Sequence, residues 1–193
     1  MKPKLSFYLL FIILVLAFTS CSQNKPKKVY LEWGYRMTIP PPTVLGEPFT
    51  AHHSLSFQAK DKSFQMQAQV EYENQELAIV GLNTAFATLF TLKQIENQIN
   101  STASIKMPIP PKFILGAFYL IFISYDKISP LLGKNIQCTE TSSEGTRIRK
   151  IFINKFELFN IQYLPFKNGT KIIFHNKKRN LIFTIIEDYK TEL

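Results

Sequence analysis

Alternation between apolar and polar side chains is the strongest pattern in the chain. Over residues 63–72, every second position is apolar, and these positions are Phe64, Met66, Ala68, Val70 and Tyr72. Successive side chains of a β-strand point to opposite faces, so this period of two predicts a strand with one buried face. A helix would instead scatter the same residues around its surface.

The same pattern predicts strands on both sides of this segment. Polar turns separate them, which favours antiparallel pairing of neighbours. Asn168-Gly169 is a typical hairpin turn. In the strand over 156–164 the apolar phase shifts by one residue, which predicts a bulge near Leu158-Phe159. The further predicted strands cover residues 29–38, 51–58, 76–82, 86–93, 147–153, 156–164, 171–175 and 180–187.

One long apolar run interrupts the strands. Lys112 to Ser124 is almost entirely apolar, and Pro111 suits the first turn of a helix. We interpret the run as a buried helix, with a buried strand as the alternative because Phe, Tyr and Ile also favour strands. Asp126 is predicted to cap a short helical turn through Leu132, which Gly133 would end.

This order of elements predicts a mainly β (α+β) fold. A large twisted sheet tends to curl, and one helix covers only part of its apolar face. We therefore expect a curled antiparallel sheet, or half-barrel, with a helical lid over a concave apolar chamber. Phe156 and Phe183 are expected on the same apolar face. The predicted ligand-binding residues are Trp33, Tyr35, Leu55, Phe57, Phe64, Met66, Val70, Phe90, Phe113, Phe118 and Phe122.

The N-terminal segment predicts export. Two lysines precede the 14-residue apolar run Leu5–Phe18, which is shorter than the roughly 20 residues of a spanning helix and is typical of a signal peptide. Thr19-Ser20-Cys21 resembles the lipobox of bacterial lipoproteins, although Phe18 stands where Leu is usual. The resemblance implies cleavage after residue 20 and lipidation of Cys21. The alternatives are an ordinary signal peptide with an incidental cysteine, or a simple membrane anchor.

Residues 21–28 form a short polar tether whose lysines would be attracted to anionic lipid. Ser22 follows the predicted lipidated cysteine. Because Asp at that position commonly retains Gram-negative lipoproteins in the inner membrane, the resemblance implies an outer-membrane lipoprotein with its domain facing the periplasm. The membrane, through this lipid anchor, is the first predicted partner.

Composition and charge narrow the class of protein, the number of domains and the expected partners. The chain has 193 residues, 46% of them hydrophobic and 19% charged, which excludes a disordered protein and predicts a single domain over 29–193. Two of the 23 basic residues lie within residues 1–20, so the mature chain carries 21 basic and 14 acidic side chains. The basic residues form no helix or aromatic-basic motif, so nucleic acid is not an expected partner.

Candidate chemistry is sparse. Two cysteines exclude a disulfide framework and a multi-thiolate zinc site, and Cys138 is expected to be a partly buried apolar residue. His52 and His53 are adjacent, so on a strand they would point to opposite faces, one at the surface and one half-buried. No nucleophile elbow, zinc-protease motif or phosphate loop is present in the sequence. We therefore predict no catalytic residues, no metal and no cofactor.

Several segments resemble a family of uncharacterised bacterial lipoproteins, often found with gene clusters for aryl polyene-type lipids. The resemblance implies a fold similar to the LolA/LolB lipoprotein carriers and carries over no catalytic residues. The matching segments are Glu76–Leu82, Ile109–Phe118, Arg149–Phe152, Ile161–Tyr163 and Leu181–Ile185.

Three classes of function remain open. The first is a membrane-anchored protein that binds a hydrophobic acyl or lipid ligand, with a role in lipid or lipoprotein transport to the outer membrane. The second is a structural or assembly lipoprotein that docks an envelope protein partner without a small ligand. The third is an enzyme, which the missing motifs disfavour. A continuous apolar cavity would favour the first, and a filled sheet interior the second.

Overall fold

The computed structural model describes most of the chain beyond the N-terminal segment. The predicted signal peptide, Cys21, most of the tether and Trp33 lie outside the described residues. Within the described residues, no helix has both the length and the apolar composition needed to cross a membrane. The described ranges are 27–32, 35–59, 62–105, 107, 109–167 and 169–192.

Strands dominate the described residues, with two short α-helices between the seventh and eighth. Single 3-10 turns cover Pro42–Leu45 and Ser129–Leu131. The helices are α1 (Pro111–Phe122) and α2 (Tyr125–Ile128). The strands are β1 (Lys28–Glu32), β2 (Tyr35–Thr38), β3 (Phe49–Ala59), β4 (Lys62–Glu73), β5 (Glu76–Leu82), β6 (Thr88–Ile95), β7 (Gln98–Ala103), β8 (Ile136–Ser143), β9 (Thr146–Ile153), β10 (Phe156–Phe166), β11 (Gly169–Asn176) and β12 (Leu181–Glu192).

Ten of these strands form one antiparallel sheet in the order β7-β6-β5-β4-β3-β12-β11-β10-β9-β8. The β3–β12 pairing joins the strands before α1 to those after it. The edge strands β7 and β8 do not pair with each other in the described residues, so the barrel stays open. Strands β1 and β2 form a separate hairpin, and β1 packs against α1.

The contacts of α1 show that the sheet is strongly curled. Near its C-terminal end, the helix bonds to Gln94 on β6 and to Arg149 on β9. In a flat sheet these strands would be about 33 Å apart, seven spacings of roughly 4.8 Å. A helix is only about 10–12 Å wide. The sheet must therefore wrap around α1, which confirms the predicted half-barrel with a helix across its concave face.

The burial pattern of the central strands follows the predicted alternation. On β4, Met66, Ala68, Val70 and Tyr72 are buried and face inward, while Phe64 near the strand's start is half-buried. The predicted bulge in β10 is confirmed, because the register with β9 shifts between Glu157 and Phe159. Phe156, which was expected on the apolar face, is instead 55% exposed. It precedes the bulge, which exchanges the two faces of the strand.

The predicted strand over 29–38 is wrong, because the described residues of this segment form two paired strands, β1 and β2. Val29 pairs with Met37, and Lys28 pairs with Thr38. Paired residues share a face, and each of these pairs has two odd or two even numbers. Residues 28–30 and 36–38 therefore keep the same phase despite a register shift between Tyr30 and Glu32, and the pattern cannot distinguish one strand from two.

Strands β7 and β8 were not predicted. The residues of β7 are mostly polar and exposed, and β8 has only partly buried apolar positions, among them Ile136 and Cys138. Both are edge strands, so they pair through the backbone on one side and bury little core. Hydrophobic alternation therefore gives them no strong signal.

The helical interpretation of the apolar run is confirmed. The helix starts at Pro111, as Pro at the first helical position predicts, and ends at Phe122 because Ile123 is extended. Eight of its residues are buried, since the curled sheet surrounds it. The capping prediction is wrong in detail: Ser124 is the N-cap of α2, and Asp126 lies within the first turn.

Candidate functional site

An apolar cavity lies between the concave face of the sheet and α1. Its free volume is about 40 Å³. A water molecule occupies about 30 Å³ in the liquid, so the cavity has room for about one small group. Its wall consists of His53, Leu55, Phe57, Ala68, Val70, Ile79, Phe90, Ile109, Phe113, Ile114, Phe118, Ile121, Phe122, Phe183 and Ile185.

Most of the predicted ligand-binding residues meet at this cavity. Two lie on β3, one on β4, one on β6 and three on α1, which brings together positions that are far apart in sequence. They are Leu55, Phe57, Val70, Phe90, Phe113, Phe118 and Phe122. That a ligand binds there remains a prediction.

Two predicted residues lie beside the cavity rather than on its wall. Met66 is buried and packs with Phe90 over Gly81, where a Cβ atom would overlap both side chains. Phe64 is half-buried, and its ring centroid is 6.3 Å from that of Phe57. Of the other two, Trp33 lies outside the described residues, and for Tyr35 only the backbone, in β2, is described.

The cavity wall also includes residues that were not predicted as ligand-binding. Ile79, Phe183, Ile185 and His53 are on its strand side. The sequence did contain a signal for these residues, because each lies on the same face of its strand as neighbouring apolar residues. His53, for example, shares its face with Leu55 and is buried, with its ring centroid 5.4 Å from that of Phe122.

The C-terminal end of α1 is bound on one side by a buried cation. Arg149 on β9 is fully buried, and its Nη1 donates to the carbonyl oxygens of Leu120 at 2.6 Å and Ile123 at 2.9 Å. Its Nε donates to Glu140 Oε2 at 2.6 Å. The last carbonyls of a helix lack partners within the helix and carry partial negative charge, so a cation there stabilises the helix end.

Tyr163 on β10 contributes to the same contact. Its hydroxyl donates to the carbonyl oxygen of Ile121 at 2.7 Å. Burial raises the pKa of Tyr163 to about 12, despite the lowering effect of Arg149 and Arg147. The phenol is therefore neutral at physiological pH and remains a donor to the helix.

On the opposite side, the helix is held by a neutral amide. The Tyr119 hydroxyl donates to Gln94 Oε1 at 2.9 Å, and Gln94 Nε2 donates to the carbonyl oxygens of Pro40 at 2.7 Å and Glu96 at 2.8 Å. Gln94 is fully buried. Burial raises the pKa of Tyr119, so this phenol is also neutral and donates.

Arg149, Tyr163, Gln94 and Tyr119 were not predicted as functional residues. For Arg149 a signal existed, because it shares its strand phase with Ile151 and Ile153, which are buried. A cation in the buried phase of a strand requires partners. The sequence does not show that those partners are the carbonyl oxygens of a helix.

The other candidate groups offer little reactive chemistry. His52 and His53 do face opposite sides of β3, but His53 is buried rather than half-buried and His52 is half-buried rather than at the surface. Cys138 is partly buried, as expected, and burial raises its pKa to about 11, so it is a poor nucleophile at neutral pH. Among the described residues, no three His, Cys, Asp or Glu side chains could hold a metal ion together.

Comparison with known proteins gives a family but no established activity. The model of a family described as "Protein of unknown function (DUF3261)" matches residues 50–187. No curated protein matches the sequence. Among solved structures, a LolA superfamily protein from Nitrosomonas europaea is similar, with 8% identity and a TM-score of 0.39 over 81% of this chain and 94% of that one.

Proposed function

Since the chain belongs to the DUF3261 family of unknown function, we propose from its geometry that it binds the acyl chain of a lipid or lipid-modified molecule between the sheet and α1. The observation that carries the proposal is the apolar cavity under this helix. Its wall contains one titratable side chain among the described residues, His53, and is otherwise apolar. Such a wall matches a hydrocarbon chain and provides no pair of groups for catalysis, so the proposed role is binding and transport rather than an enzymatic reaction.

Binding requires the cavity to expand. Pockets for small ligands typically enclose about 300–1,000 Å³, far more than the 40 Å³ that is free here. Within the described residues, the side-chain hydrogen bonds between α1 and the sheet involve residues 119–123 of the chain, whereas Phe113, Ile114 and Phe118 make apolar contacts at the cavity. We therefore propose that the N-terminal part of the helix moves while its C-terminal end stays bound.

The hydrophobic effect can drive this exchange. Each CH₂ group transferred from water to an apolar site contributes about 0.8 kcal/mol, so ten groups would contribute about 8 kcal/mol. Part of that free energy is offset by separating the helix from the sheet and by ordering the ligand. An acyl chain of ordinary length therefore offers far more of this free energy than a small apolar molecule does.

A substitution within the cavity tests this proposal. Ala68→Val adds two methyl groups that occupy the free space, so we expect the affinity for a fluorescent fatty acid to fall at least tenfold while the domain remains folded. Ala78→Val on β5, a half-buried position that does not line the cavity, is the matched control. Mass spectrometry of lipids that co-purify with the protein identifies the ligand.

Unchanged fatty-acid binding in folded Ala68→Val would show that the cavity is not the site. If the parent protein binds no fatty acid and co-purifies with no lipid, the carrier proposal fails, and docking of an envelope protein partner becomes the better explanation.

We also propose that the protein is a lipoprotein of the outer membrane whose domain faces the periplasm. The support is in the sequence: a signal-like segment over residues 1–20, Cys21 preceded by small residues, and Ser22 after it. Two or more acyl chains give stable anchoring, whereas one alone binds marginally. The intact mass of the mature protein tests lipidation of Cys21, and membrane fractionation tests its location. An unmodified cysteine, or stable recovery with the inner membrane, would contradict the respective part.

A further inference from the structure

Charge is distributed unevenly between the two halves of the sheet. Residues 49–105, which include β3 to β7, contain three basic and five acidic side chains. Residues 127–192, which include β8 to β12, contain twelve basic and six acidic side chains. Much of this excess lies in turns and is exposed. We call the following exposed residues the basic rim: Lys134, Lys155, Lys177, Lys178 and Arg179.

Strand pairing brings the basic rim together at one end of the half-barrel. The turn between β9 and β10 lies beside the start of β8, because the Asn154 amide donates to the Asn135 carbonyl oxygen at 3.4 Å. The turn between β11 and β12 joins them, because the Lys177 amide donates to the Leu158 carbonyl oxygen at 3.0 Å. Three chain segments therefore present their cations from the same end.

Several of these cations are available to a partner. Lys177 pairs with Glu157, with 2.7 Å between Nζ and Oε1. The ion pairs found among the described residues do not involve Lys134, Lys155 or Lys178. The basic rim thus keeps positive charge that its own strands do not neutralise.

Exposed aromatic side chains accompany these cations. Phe156 begins β10 directly after Lys155 and is 55% exposed. Phe86, in the turn between β5 and β6, is at the same end of the sheet and is 69% exposed. Leaving these rings in water is unfavourable, and a large aromatic side chain next to a lysine, as Phe156 is next to Lys155, suits the interface between lipid headgroups and acyl chains.

The opposite end of the sheet has a different character. Its turns and strand ends carry Glu73, Glu96 and Glu144 together with Lys167, Lys171 and Lys190, so its charge is mixed. The first described residue, Lys27, is also near that end. Its carbonyl oxygen accepts from Ile39, whose neighbour Pro40 is bound by Gln94 close to the end of β6. The basic rim is therefore a surface separate from the point where the N-terminal segment joins the domain.

From these observations we propose that the basic rim docks on the surface of an anionic phospholipid membrane. The lysine side chains would contact phosphate groups, and Phe156 and Phe86 would enter the interfacial layer. The proposal does not depend on ligand binding in the cavity, and it assigns the domain a membrane contact of its own, apart from the predicted lipid anchor.

Vesicle binding by the full-length chain tests the charge requirement. We compare phosphatidylcholine vesicles with and without phosphatidylglycerol, using the variant Lys134→Gln/Lys155→Gln/Lys178→Gln. Each surface lysine contributes about fivefold to binding of anionic lipid at low salt, so we expect a loss on the order of 100-fold. The loss should diminish as salt screens the charges.

The matched control is Lys167→Gln/Lys171→Gln/Lys190→Gln, which removes the same charge from the opposite end of the sheet. All variants keep the same N-terminal segment, so any difference between the two triple variants comes from the domain. Equal losses of vesicle binding in the two triple variants would show that net charge alone is responsible, and this would overturn the proposal. Binding that is indifferent to phosphatidylglycerol would also overturn it, and the rim would then have to serve an acidic protein surface instead.

Insertion of the aromatic side chain has its own test. Phe156→Trp places an indole at the basic rim. Phe166→Trp places one at the other end of β10, at the opposite end of the sheet. On anionic vesicles with brominated acyl chains, we expect the indole at position 156 to be quenched beyond the quenching of the parent chain. The indole at position 166 should show no added quenching. Equal quenching at both positions would contradict docking through the rim.

Discussion

On the β9–β10 side of the half-barrel, the end of α1 is held by a buried cation, whereas on the β6 side it is held by a neutral amide. Arg149 joins helix carbonyl oxygens to Glu140, and Gln94 joins the Tyr119 hydroxyl to two loop carbonyl oxygens. Both residues are fully buried. The first side uses charge to stabilise the helix end, and the second uses hydrogen bonds alone.

The two sides also differ in packing. Phe174 on β11 and Phe159 on β10 fill the concave face on one side, with ring centroids 5.0 Å apart, and Phe174 stacks at 4.5 Å on Phe183, which lines the cavity. Among the described residues, the cavity wall draws on β3 to β6 and β12, and on none of β9 to β11. The comparison teaches that the side with the charged contact is also the filled side, so expansion is expected toward β3 to β6.

The largest expected effect comes from removing the cation. Arg149→Ala leaves helix carbonyl oxygens without a donor and Glu140 without its closest partner, so we expect the free energy of unfolding to fall by about 3–5 kcal/mol. Urea unfolding measures it. The control is Arg147→Ala on the same strand, which is partly exposed and 3.7 Å from Glu140, and should cost less than about 1 kcal/mol. Similar losses of free energy of unfolding in both variants would show that the buried cation is not what stabilises this side.

The hydrogen bonds of the Gln94 amide should contribute less to the free energy of unfolding than the contacts of Arg149. Gln94→Leu keeps the volume but leaves the Tyr119 hydroxyl and the Pro40 and Glu96 carbonyl oxygens without this partner, and we expect a loss of about 2–3 kcal/mol. Thr91→Val on the same strand removes only an exposed side-chain hydrogen bond to Thr102 and serves as the control. If Gln94→Leu destabilises as much as Arg149→Ala, charge is not what distinguishes the two sides.

Much of the central fold could be predicted from sequence, because buried strands with one apolar face impose a visible period. Residues 63–72 show this period directly, whereas α1 could be predicted from its continuous apolar run and from Pro111 at its start. The edge strands β7 and β8 lacked that signal, and the β1–β2 hairpin preserved the phase of a single strand. Arg149 and Gln94, which hold α1 in place, were missed for another reason. Both bind backbone carbonyl oxygens, and only the tertiary fold determines which carbonyl oxygens face them.

A third prediction concerns the pH dependence of stability on the charged side of the half-barrel, and its expected effect is the smallest. Burial alone would raise the pKa of Glu157 on β10, but hydrogen bonds from Lys177 and Asn160 and the charge of Lys150 outweigh it and hold the pKa below its ordinary value of 4.5. The ionised form therefore stabilises the fold above about pH 4.5, and this contribution is lost as pH falls through the lower folded value. No comparable ion pair supports Gln94 among the described residues.

Glu157→Gln should therefore lower the free energy of unfolding at pH 7 by less than about 1 kcal/mol, since its lysine partners are partly exposed and screened by solvent. Because the variant cannot titrate at this position, its difference from the parent should shrink toward zero as the pH falls below about 4.5. Urea unfolding at several pH values measures this difference. Glu73→Gln replaces an exposed carboxylate at the end of β4 and serves as the control for the substitution itself. A difference that persists unchanged at acid pH would mean that Glu157 acts through packing rather than through its charge.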